Sequence, residues 1–427
     1  MSGAKKAPAP DGGGLWANGA LITIAGLAIW SVLRGALDRV LALWLQHPWI
    51  SLLAALLMFT SVGSWVYSLF WNKHVEQAAD RAITAEDATA VYLGKDTKGE
   101  AIHLKQRYRT THTQVIGTTS AGKTESVILP WAIRDLETRS GMIIIDGKSD
   151  KSFLEKFYAY AVKHGRSSDF RLFSLGLPEL SSTFNPLIGG TPYEVAERVF
   201  SSFVFENPYY RDVQYKLFHT LLELIHERGG TPTFALVQRL LNDKALLKTW
   251  IDHCQNDALK RPLQAFHDLN DAKRAENTSG LDAQISHFTT GQLGELFNDP
   301  SPQIQLDQAL RENLVCYFQL PSMYMPTLAA ATGRLVLQSF QSAISKRHLG
   351  HESNPCFFSC YLDDFQDYIY EGFGALLNKS RSANVGVVFS HQALGDLDKV
   401  SPAFRNVVLT NTNVKCVMRN NDPDTCE

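Results

Sequence analysis

The residues best suited to chemistry form a glycine-rich segment that has the spacing G-x-x-x-x-G-K-[ST]. Its members are Gly117, Thr118, Thr119, Ser120, Ala121, Gly122, Lys123 and Thr124. In a phosphate-binding loop, successive backbone N–H groups surround a β-phosphate, the lysine reaches the β- and γ-phosphates, and the hydroxyl of the last residue binds Mg²⁺. The pattern therefore predicts a site for a nucleoside triphosphate such as ATP. The competing interpretation is a surface turn rich in Gly, Ser and Thr.

A second candidate element is a pair of acids, Asp363 and Asp364, which follows the apolar run from Cys356 to Leu362. A buried strand of this kind carries its acids to the edge of a sheet. Asp363 is then placed to hold Mg²⁺, and Asp364 is placed to orient and deprotonate the attacking water. An acid pair after a strand can equally be a simple helix cap, and only its combination with the phosphate-binding loop favours the catalytic interpretation.

The surrounding pattern predicts the elements that position these residues. A short apolar strand ends at Ile116, and a helix is expected from Glu125, with Pro130 as a potential early kink. Gly141 to Asp146 is typical of a buried parallel strand, and Phe170 to Ser174 predicts another. The two chemical elements are much further apart than one βαβ crossover requires. We therefore expect an α/β core with a helical domain inserted into it.

Net charge and cysteine spacing argue against some classes of protein but leave local contacts with DNA open. The formal net charge is −2, so there is no overall basic excess of the kind that marks many nucleic-acid-binding proteins. The 6 cysteines include no C-x-x-C pair. This pattern favours neither a disulfide scaffold nor a zinc ribbon.

The N-terminal region differs from the rest of the chain. Residues 15–33 and 50–71 are apolar runs of about 19 and about 22 residues, each long enough to cross a ~30 Å hydrocarbon core as a helix. A secretory signal peptide is disfavoured because a second full-length run follows. A buried soluble hairpin stays open as the alternative. Because ATP is cytoplasmic, we expect two transmembrane helices with both ends on the cytoplasmic side.

These patterns divide the chain into segments. We predict a disordered tail at 1–14, a membrane hairpin at 15–72, and a stalk with the leading strands at 73–110. The motor domain is expected at 111–190 and 300–427, with an inserted all-α domain at 191–299 between its halves. In the leading segment, Gly94-Lys95-Asp96 indicates a turn between two strands. Lys105, Arg107 and Arg109 indicate either a solvated face or a contact with DNA or lipid.

Six short motifs, in order, resemble those of the type IV secretion coupling proteins, the TraD/TraG-like conjugative ATPases. They are His112 to Ile116 with the glycine-rich loop, Ile145-Asp146-Gly147-Lys148, Phe184-Asn185-Pro186-Leu187, Leu362-Asp363-Asp364-Phe365, Phe389-Ser390-His391-Gln392, and Asn413 to Cys416 with Asp422 to Thr425. The resemblance covers nearly the whole chain. It implies a RecA-like P-loop NTPase core in a multi-pass protein of the bacterial inner membrane, assembled as a homo-hexamer.

The resemblance also implies partners and further roles. Such a motor delivers a relaxase–ssDNA complex, or secreted protein substrates, to the type IV secretion channel. Gln392 is expected to sense the γ-phosphate, and Arg381 to act as an arginine finger in the neighbouring subunit's site. An exposed arginine at a helix end is the alternative for Arg381. The family usually has Asp-Glu where this chain has Asp363-Asp364, so the presumed base is one methylene shorter.

Three functions are consistent with these observations. The leading hypothesis is a conjugation or secretion ATPase that moves single-stranded DNA or proteins. A double-stranded DNA translocase of the FtsK/HerA type shares the core but is disfavoured by the helical insertion after Leu187. A nucleotide-gated substrate receptor that does not hydrolyse ATP is kept open by the short acid at Asp364.

Overall fold

The computed structural model describes residues 30–39, 42, 60, 88–350 and 355–426. The chain divides into two units, Met1–Ala82 and Ile83–Glu427. In the first unit, residues 30–39 are helical. None of the helices in the described ranges is both long and apolar enough to cross a membrane. The predicted membrane spans lie almost wholly outside these ranges, and the predicted tail at 1–14 lies entirely outside them.

The second unit is built on a seven-stranded sheet in which every neighbouring pair of strands is parallel. Its strands are β3 (Thr113–Ile116), β4 (Gly141–Asp146), β5 (Phe170–Ser174), β6 (Val315–Gln319), β7 (Phe358–Asp363), β8 (Val385–His391) and β9 (Val414–Val417). The order across the sheet is β5-β6-β4-β7-β8-β3-β9. The predicted strands at Gly141–Asp146 and Phe170–Ser174 are confirmed to the residue.

Most residues of the central strands are apolar because both faces of the sheet are covered. Every residue of β4, β7 and β8 is buried. One face packs against the helix that follows the glycine-rich loop and the next helix along the chain. The other face belongs to a larger core that extends into the helical region. The parallel arrangement places the carboxyl ends of all seven strands at one edge, where ligands of open α/β sheets bind.

Sixteen helical segments of four residues or more accompany the strands in the described part of the second unit. They are α1 (Gln106–Arg109), α2 (a wide turn at Thr124–Ile128 continuing as Leu129–Glu137), α3 (Lys151–Lys163), α4 (Pro192–Ser202), α5 (Pro208–Glu227), α6 (Phe234–Asn242), α7 (Lys244–Asp252), α8 (Asp257–His267), α9 (Asp271–Ser286), α10 (Gly291–Phe297), α11 (Leu306–Glu312), α12 (Pro326–Leu349), α13 (Phe373–Ser380), α14 (Gly395–Asp398), α15 (Pro402–Asn411) and α16 (Pro423–Cys426). The continuous helical stretch α4–α10 agrees with the expected helical character of 191–299. The division into domains stays a prediction.

Helix α2 accommodates Pro130 without breaking. Its first turn is wide, and the Leu129 N–H bonds to the carbonyl of Thr124, five residues earlier. Pro130 then occupies the first turn of the regular helix, where a missing N–H costs little. Such wide turns are frequent at functional sites. The expected early kink therefore takes the form of a local widening directly behind the glycine-rich loop.

The leading segment forms an antiparallel hairpin of β1 (Val91–Lys95) and β2 (Ala101–Leu104). The predicted turn at Gly94-Lys95-Asp96 is wrong, because Gly94 and Lys95 lie within β1. The chain turns after Asp96 instead, where the Asp96 carboxylate accepts the N–H groups of Lys98 and Glu100 at 2.8 Å each. These local bonds favour the later turn.

Candidate nucleotide-binding site

The glycine-rich loop follows β3 at the carboxyl edge of the sheet. Its first two residues are held by backbone hydrogen bonds: the Gly117 N–H donates to the His391 carbonyl at 3.2 Å and the Thr118 N–H to the Arg419 carbonyl at 3.0 Å. A side chain at Gly117 would be crowded, since a Cβ there would lie 3.0 Å from the Cβ of Met418. Gly122 has φ +89°, which glycine adopts without strain.

The middle of the loop keeps donors available. Within the described chain, the backbone N–H groups of Thr119, Ser120 and Gly122 have no hydrogen-bond acceptor. The Lys123 side chain is only 7% exposed and folds over the loop, where its Nζ donates to the carbonyl of Gly117 at 2.7 Å and to that of Thr118 at 3.2 Å. Unpaired N–H groups beside a lysine ammonium and a helix N-terminus fit a phosphate group.

Thr124 and Asp363 meet directly beneath this loop. The Thr124 hydroxyl donates to Asp363 Oδ2 at 2.6 Å. Asp363 is 3% exposed, and its Oδ1 accepts the Ser390 hydroxyl at 2.5 Å. A hydroxyl and a carboxylate are the hard oxygen ligands that Mg²⁺ prefers in phosphate sites, so the residues present fit this ion. The structure thus brings together two residues that are 239 positions apart in the sequence.

Asp364 is half-buried next to this pair in a left-handed backbone conformation, with φ 47°. Its N–H donates to Ser390 Oγ at 3.1 Å and lies 3.2 Å from Asp363 Oδ1. Burial, together with the charge of Asp363, raises the pKa of the Asp364 carboxyl above its ordinary value, while Lys123 acts in the opposite direction. A raised pKa suits a carboxylate that must accept a proton near neutral pH. The alternative reading as a helix cap receives no support, since Asp364 makes no side-chain cap bond to the short turn that follows.

Asp146 lies beside Asp363, because the two end adjacent strands in register. Its carboxylate accepts the N–H groups of Lys148, Ser149 and Asp150 and the hydroxyl of Tyr317, all within 3.0 Å. Burial raises the pKa of Asp146 to about 7, with the Asp363 charge adding to the effect and the hydrogen bonds opposing it. Since its oxygens are occupied by these four donors, Asp146 shapes the turn before α3 rather than offering a ligand.

Gln392 directly follows β8, which is the strand adjacent to β3. Its side chain is exposed, while its N–H donates to Asp396 Oδ2 and its carbonyl accepts from Asn420 Nδ2, both at 3.1 Å. The residue thus stands at the same sheet edge as the glycine-rich loop with its main chain fixed. This position agrees with a sensor of bound phosphate but does not test that role.

Arg381 is not part of the site within its own chain. It is exposed at the end of α13 and precedes β8, so it lies near the amino end of that strand. The glycine-rich loop lies at the opposite, carboxyl edge of the sheet. The expected role as an arginine finger therefore requires a second subunit.

The sequence interpretation missed two features of the site. Ser390 appears in the sequence interpretation only as part of a motif, yet its hydroxyl donates to Asp363 Oδ1 and accepts the Asp364 N–H. The signal available in the sequence is a polar residue near the end of an apolar strand. The prediction that Arg109 belongs to a solvated face or a DNA or lipid contact is wrong. The residue is 1% exposed, and its guanidinium bonds to both carboxylate oxygens of Asp135 at 2.6 and 2.7 Å.

Comparison with known proteins supports the resemblance on the level of sequence. The chain is 22% identical, over 395 aligned positions, to the type 4 coupling protein DotL of Legionella pneumophila. The alignment covers 78% of this chain and 50% of DotL, so the chain spans about half the length of this curated relative. No protein-family profile matches the chain.

Solved structures show the fold. The bacterial conjugative coupling protein TrwB, in complex with the ATP analogue ADPNP, matches with a TM-score of 0.57 at 12% identity, over 80% of this chain and 76% of that one. TrwB with ADP and Mg²⁺ matches at 0.55 and 13%, over 79% and 75%. VirB4 of Thermoanaerobacter pseudethanolicus matches at 0.54 and 15%, over 78% and 85%. The chain is similar to type IV secretion coupling proteins and has their P-loop NTPase fold.

Proposed function

We propose that this protein is an ATPase that couples ATP hydrolysis to the transfer of DNA or protein substrates into a type IV secretion channel. The observation that carries the proposal is the contact between Thr124 and Asp363 at 2.6 Å beneath a loop with unpaired N–H groups. That pairing is the arrangement a P-loop NTPase needs to hold a metal–nucleotide complex. The similarity to DotL, TrwB and VirB4 supplies the link to secretion.

In this proposal each residue has a defined task. Lys123 and the loop N–H groups would hold the phosphates, and Thr124 and Asp363 would hold Mg²⁺, whose charge would offset that of the phosphate oxygens. Asp364 accepts a proton from water, which its raised pKa favours. Gln392 contacts the γ-phosphate from the neighbouring strand end.

The proposed assembly rests on the position of Arg381. Because Arg381 lies at the sheet edge opposite its own loop, it can stabilise the transferred phosphoryl group only in another subunit's site. We propose a ring of identical subunits, a hexamer by analogy with the family. The apolar runs at 15–33 and 50–71 are proposed to anchor it in the bacterial inner membrane, with 191–299 as the inserted all-α domain.

The test is ATP hydrolysis by the full chain in detergent or lipid nanodiscs, with and without single-stranded and duplex DNA. We expect stimulation by single-stranded DNA that rises steeply with protein concentration and disappears in Lys123→Ala. Stimulation by duplex DNA alone would instead support a double-stranded DNA translocase. Nucleotide binding without any turnover would contradict the motor and support a nucleotide-gated receptor.

Arg381→Ala tests the shared site separately. Mixed with Lys123→Ala, it should recover part of the activity, because in a mixed ring some interfaces combine an intact loop with an intact Arg381. Either variant alone should be inactive. If the mixture stays as inactive as the separate variants, the proposal of a composite site is wrong.

A further inference from the structure

A buried histidine lies between the glycine-rich loop and Gln392. His391 is the last residue of β8, and its side chain is fully buried. Its main-chain carbonyl accepts the Gly117 N–H at 3.2 Å. The residue therefore touches the first glycine of the loop with its backbone and immediately precedes the exposed Gln392.

The hydrogen bonds of the imidazole define its protonation. Nδ1 lies 2.8 Å from the Ala393 carbonyl, which can only accept, so Nδ1 carries the proton. Nε2 lies 2.8 Å from Gln114 Nε2, and in this tautomer Nε2 accepts from the Gln114 amide. Burial lowers the pKa of His391, which keeps the ring neutral at physiological pH and preserves this pattern.

The two bonds connect the strand that carries the loop with the turn that carries Gln392. Gln114 lies on β3, three residues before the loop begins at Gly117. Ala393 directly follows Gln392. The turn is also held from the solvent side, because Asp396 Oδ2 accepts the N–H groups of Gln392 and Ala393 at 3.1 Å.

We infer that His391 is a positioning residue for discrimination between ATP and ADP. It anchors the Gln392 turn on the loop strand, so that the exposed Gln392 amide stands at a fixed distance from the loop. The inference rests on the proposed γ-phosphate contact of Gln392. It concerns nucleotide affinity alone, so it is testable without turnover, DNA or assembly.

Two isosteric variants separate the two bonds. In His391→Asn the amide nitrogen takes the place of Nδ1, so the bond to Ala393 is kept and the bond to Gln114 is lost. In His391→Gln the amide oxygen takes the place of Nε2, so the bond to Gln114 is kept and the bond to Ala393 is lost. The inference assigns the larger effect to the glutamine variant.

The measurement is the ratio of the affinities for a non-hydrolysable ATP analogue and for ADP, both with Mg²⁺, on the full chain. Losing one positioned hydrogen bond should lower this ratio about fivefold in His391→Gln and in Gln392→Ala, while the affinity for ADP changes less than about twofold. His391→Asn cuts the link to the loop strand but leaves the turn bonded to the side chain, so it should lower the ratio by a smaller factor, about twofold to threefold. Combining His391→Gln with Gln392→Ala should add no further loss, because both remove the same contact.

Other outcomes overturn the inference. Equal losses of affinity for both nucleotides in His391→Gln would show that the residue only supports the loop. An unchanged ratio in Gln392→Ala would show that Gln392 does not contact the γ-phosphate, and His391 would then have no such contact to position. If His391→Gln does not fold, Gln114→Met provides the second measurement: it leaves Nε2 unpaired and should lower the ratio without changing the affinity for ADP. A ratio equal to that of the wild type in Gln114→Met would then contradict the inference.

Discussion

Two polar clusters lie on the same face of β7 and differ in how their charges are satisfied. The inner cluster consists of Arg109, Asp135, Ser359 and Tyr361, and the edge cluster of Thr124, Asp363, Asp364 and Ser390. Ser359, Tyr361 and Asp363 alternate along the strand, so all three point toward α2. From Thr124 to Asp135 the helix rises about 16 Å, and from Ser359 to Asp363 the strand rises about 13 Å. The helix is therefore bonded to one strand near both of its ends.

The inner cluster is a closed ion pair. Asp135 accepts from Arg109, and its Oδ2 also accepts the hydroxyls of Ser359 and Tyr361 at 2.6 Å each. Although burial disfavours the charged form, the Asp135 carboxylate keeps the pKa of Arg109 above its ordinary value. Positive and negative charge are balanced, and no group of the pair faces solvent.

Among the residues that the structure describes, no cationic side chain forms a hydrogen bond with the acids of the edge cluster. Asp363 is approached by hydroxyl groups, and Asp146 and Asp364 lie beside it. Such an arrangement is costly for the protein alone and becomes favourable when a cation is bound. The comparison teaches that the same helix–strand contact is built for stability at one end and for ligand binding at the other.

The largest expected effect is that of Asp135→Asn on stability. The variant leaves the Arg109 guanidinium buried without its counter-charge, which should cost about 3–5 kcal/mol of the free energy of unfolding. Urea denaturation followed by tryptophan fluorescence measures this change. Glu155→Gln is the control, since it removes the exposed Lys151–Glu155 pair and should change stability by less than about 0.5 kcal/mol. Equal stability of the two variants would contradict the assignment of the inner cluster as structural.

Asp364→Asn should have the largest effect on catalysis. Removing the presumed base should lower the rate of ATP hydrolysis by about 10²–10⁴-fold with little change in stability. Because the pKa of Asp364 is raised, the base is formed only at a higher pH than for an ordinary carboxyl. The rate of the wild type should accordingly fall as the pH drops through this raised value. Asp364→Glu should keep activity, and a wild-type acid limb that survives in Asp364→Asn would exclude Asp364 as the base.

Asp363→Asn should affect stability differently from Asp135→Asn: the change in the inner cluster should destabilise the protein, and the change in the edge cluster should not. Burial and the Asp363 charge raise the pKa of Asp146 to about 7. A carboxyl with a folded-state pKa above its unfolded value contributes stability that is lost as the pH rises through this window, from about 4 to about 7. The variant should reduce this loss and be as stable as the wild type, or about 1 kcal/mol more stable, at neutral pH. Urea denaturation at several pH values, without nucleotide, measures the effect.

The same variant should lose the dependence of nucleotide affinity on Mg²⁺, because a carboxylate ligand has become a neutral amide. A titration with ADP at varied Mg²⁺ concentration shows whether this holds. Strong destabilisation with retained Mg²⁺ dependence would mean that Asp363 belongs with the structural cluster instead.

The edge cluster was predictable from the sequence to a greater extent than the inner one. Its members Thr124 and Asp363 lie in motifs whose spacing reflects chemistry, and the buried strand before Asp363 indicates the sheet edge. The pairing of Arg109 with Asp135 is not local, and a basic residue near Lys105 and Arg107 has the same pattern whether it is exposed or buried. Only packing of α2 on β7 distinguishes the two cases.

Backbone detail was also beyond the sequence. The turn after Asp96 competes with a glycine two residues earlier, and the outcome depends on side-chain bonds that weigh about 1 kcal/mol. The order of the sheet places β8 between the loop strand and the acid strand, and this order explains why Ser390, His391 and Gln392 lie at the same sheet edge as the loop. The spacing of motifs along the chain does not show which strands are neighbours in the sheet.

The smallest effect gives the sharpest comparison, because each cluster contains one serine that donates to an aspartate. Ser390→Ala removes the bond to Asp363 Oδ1, and Ser359→Ala removes the bond to Asp135 Oδ2. Each loss should cost about 1 kcal/mol. For Ser390→Ala the cost should appear in the affinity for Mg²⁺, and for Ser359→Ala it should appear in the free energy of unfolding. We expect Ser390→Ala to weaken the apparent affinity for Mg²⁺ in nucleotide binding about fivefold, with stability unchanged, because Asp363 loses the partner that orients it. Ser359→Ala should lower the free energy of unfolding by about 1 kcal/mol with no change in the dependence on Mg²⁺. Equal behaviour of the two serine variants in both measurements would mean that the edge cluster is a structural network like the inner one.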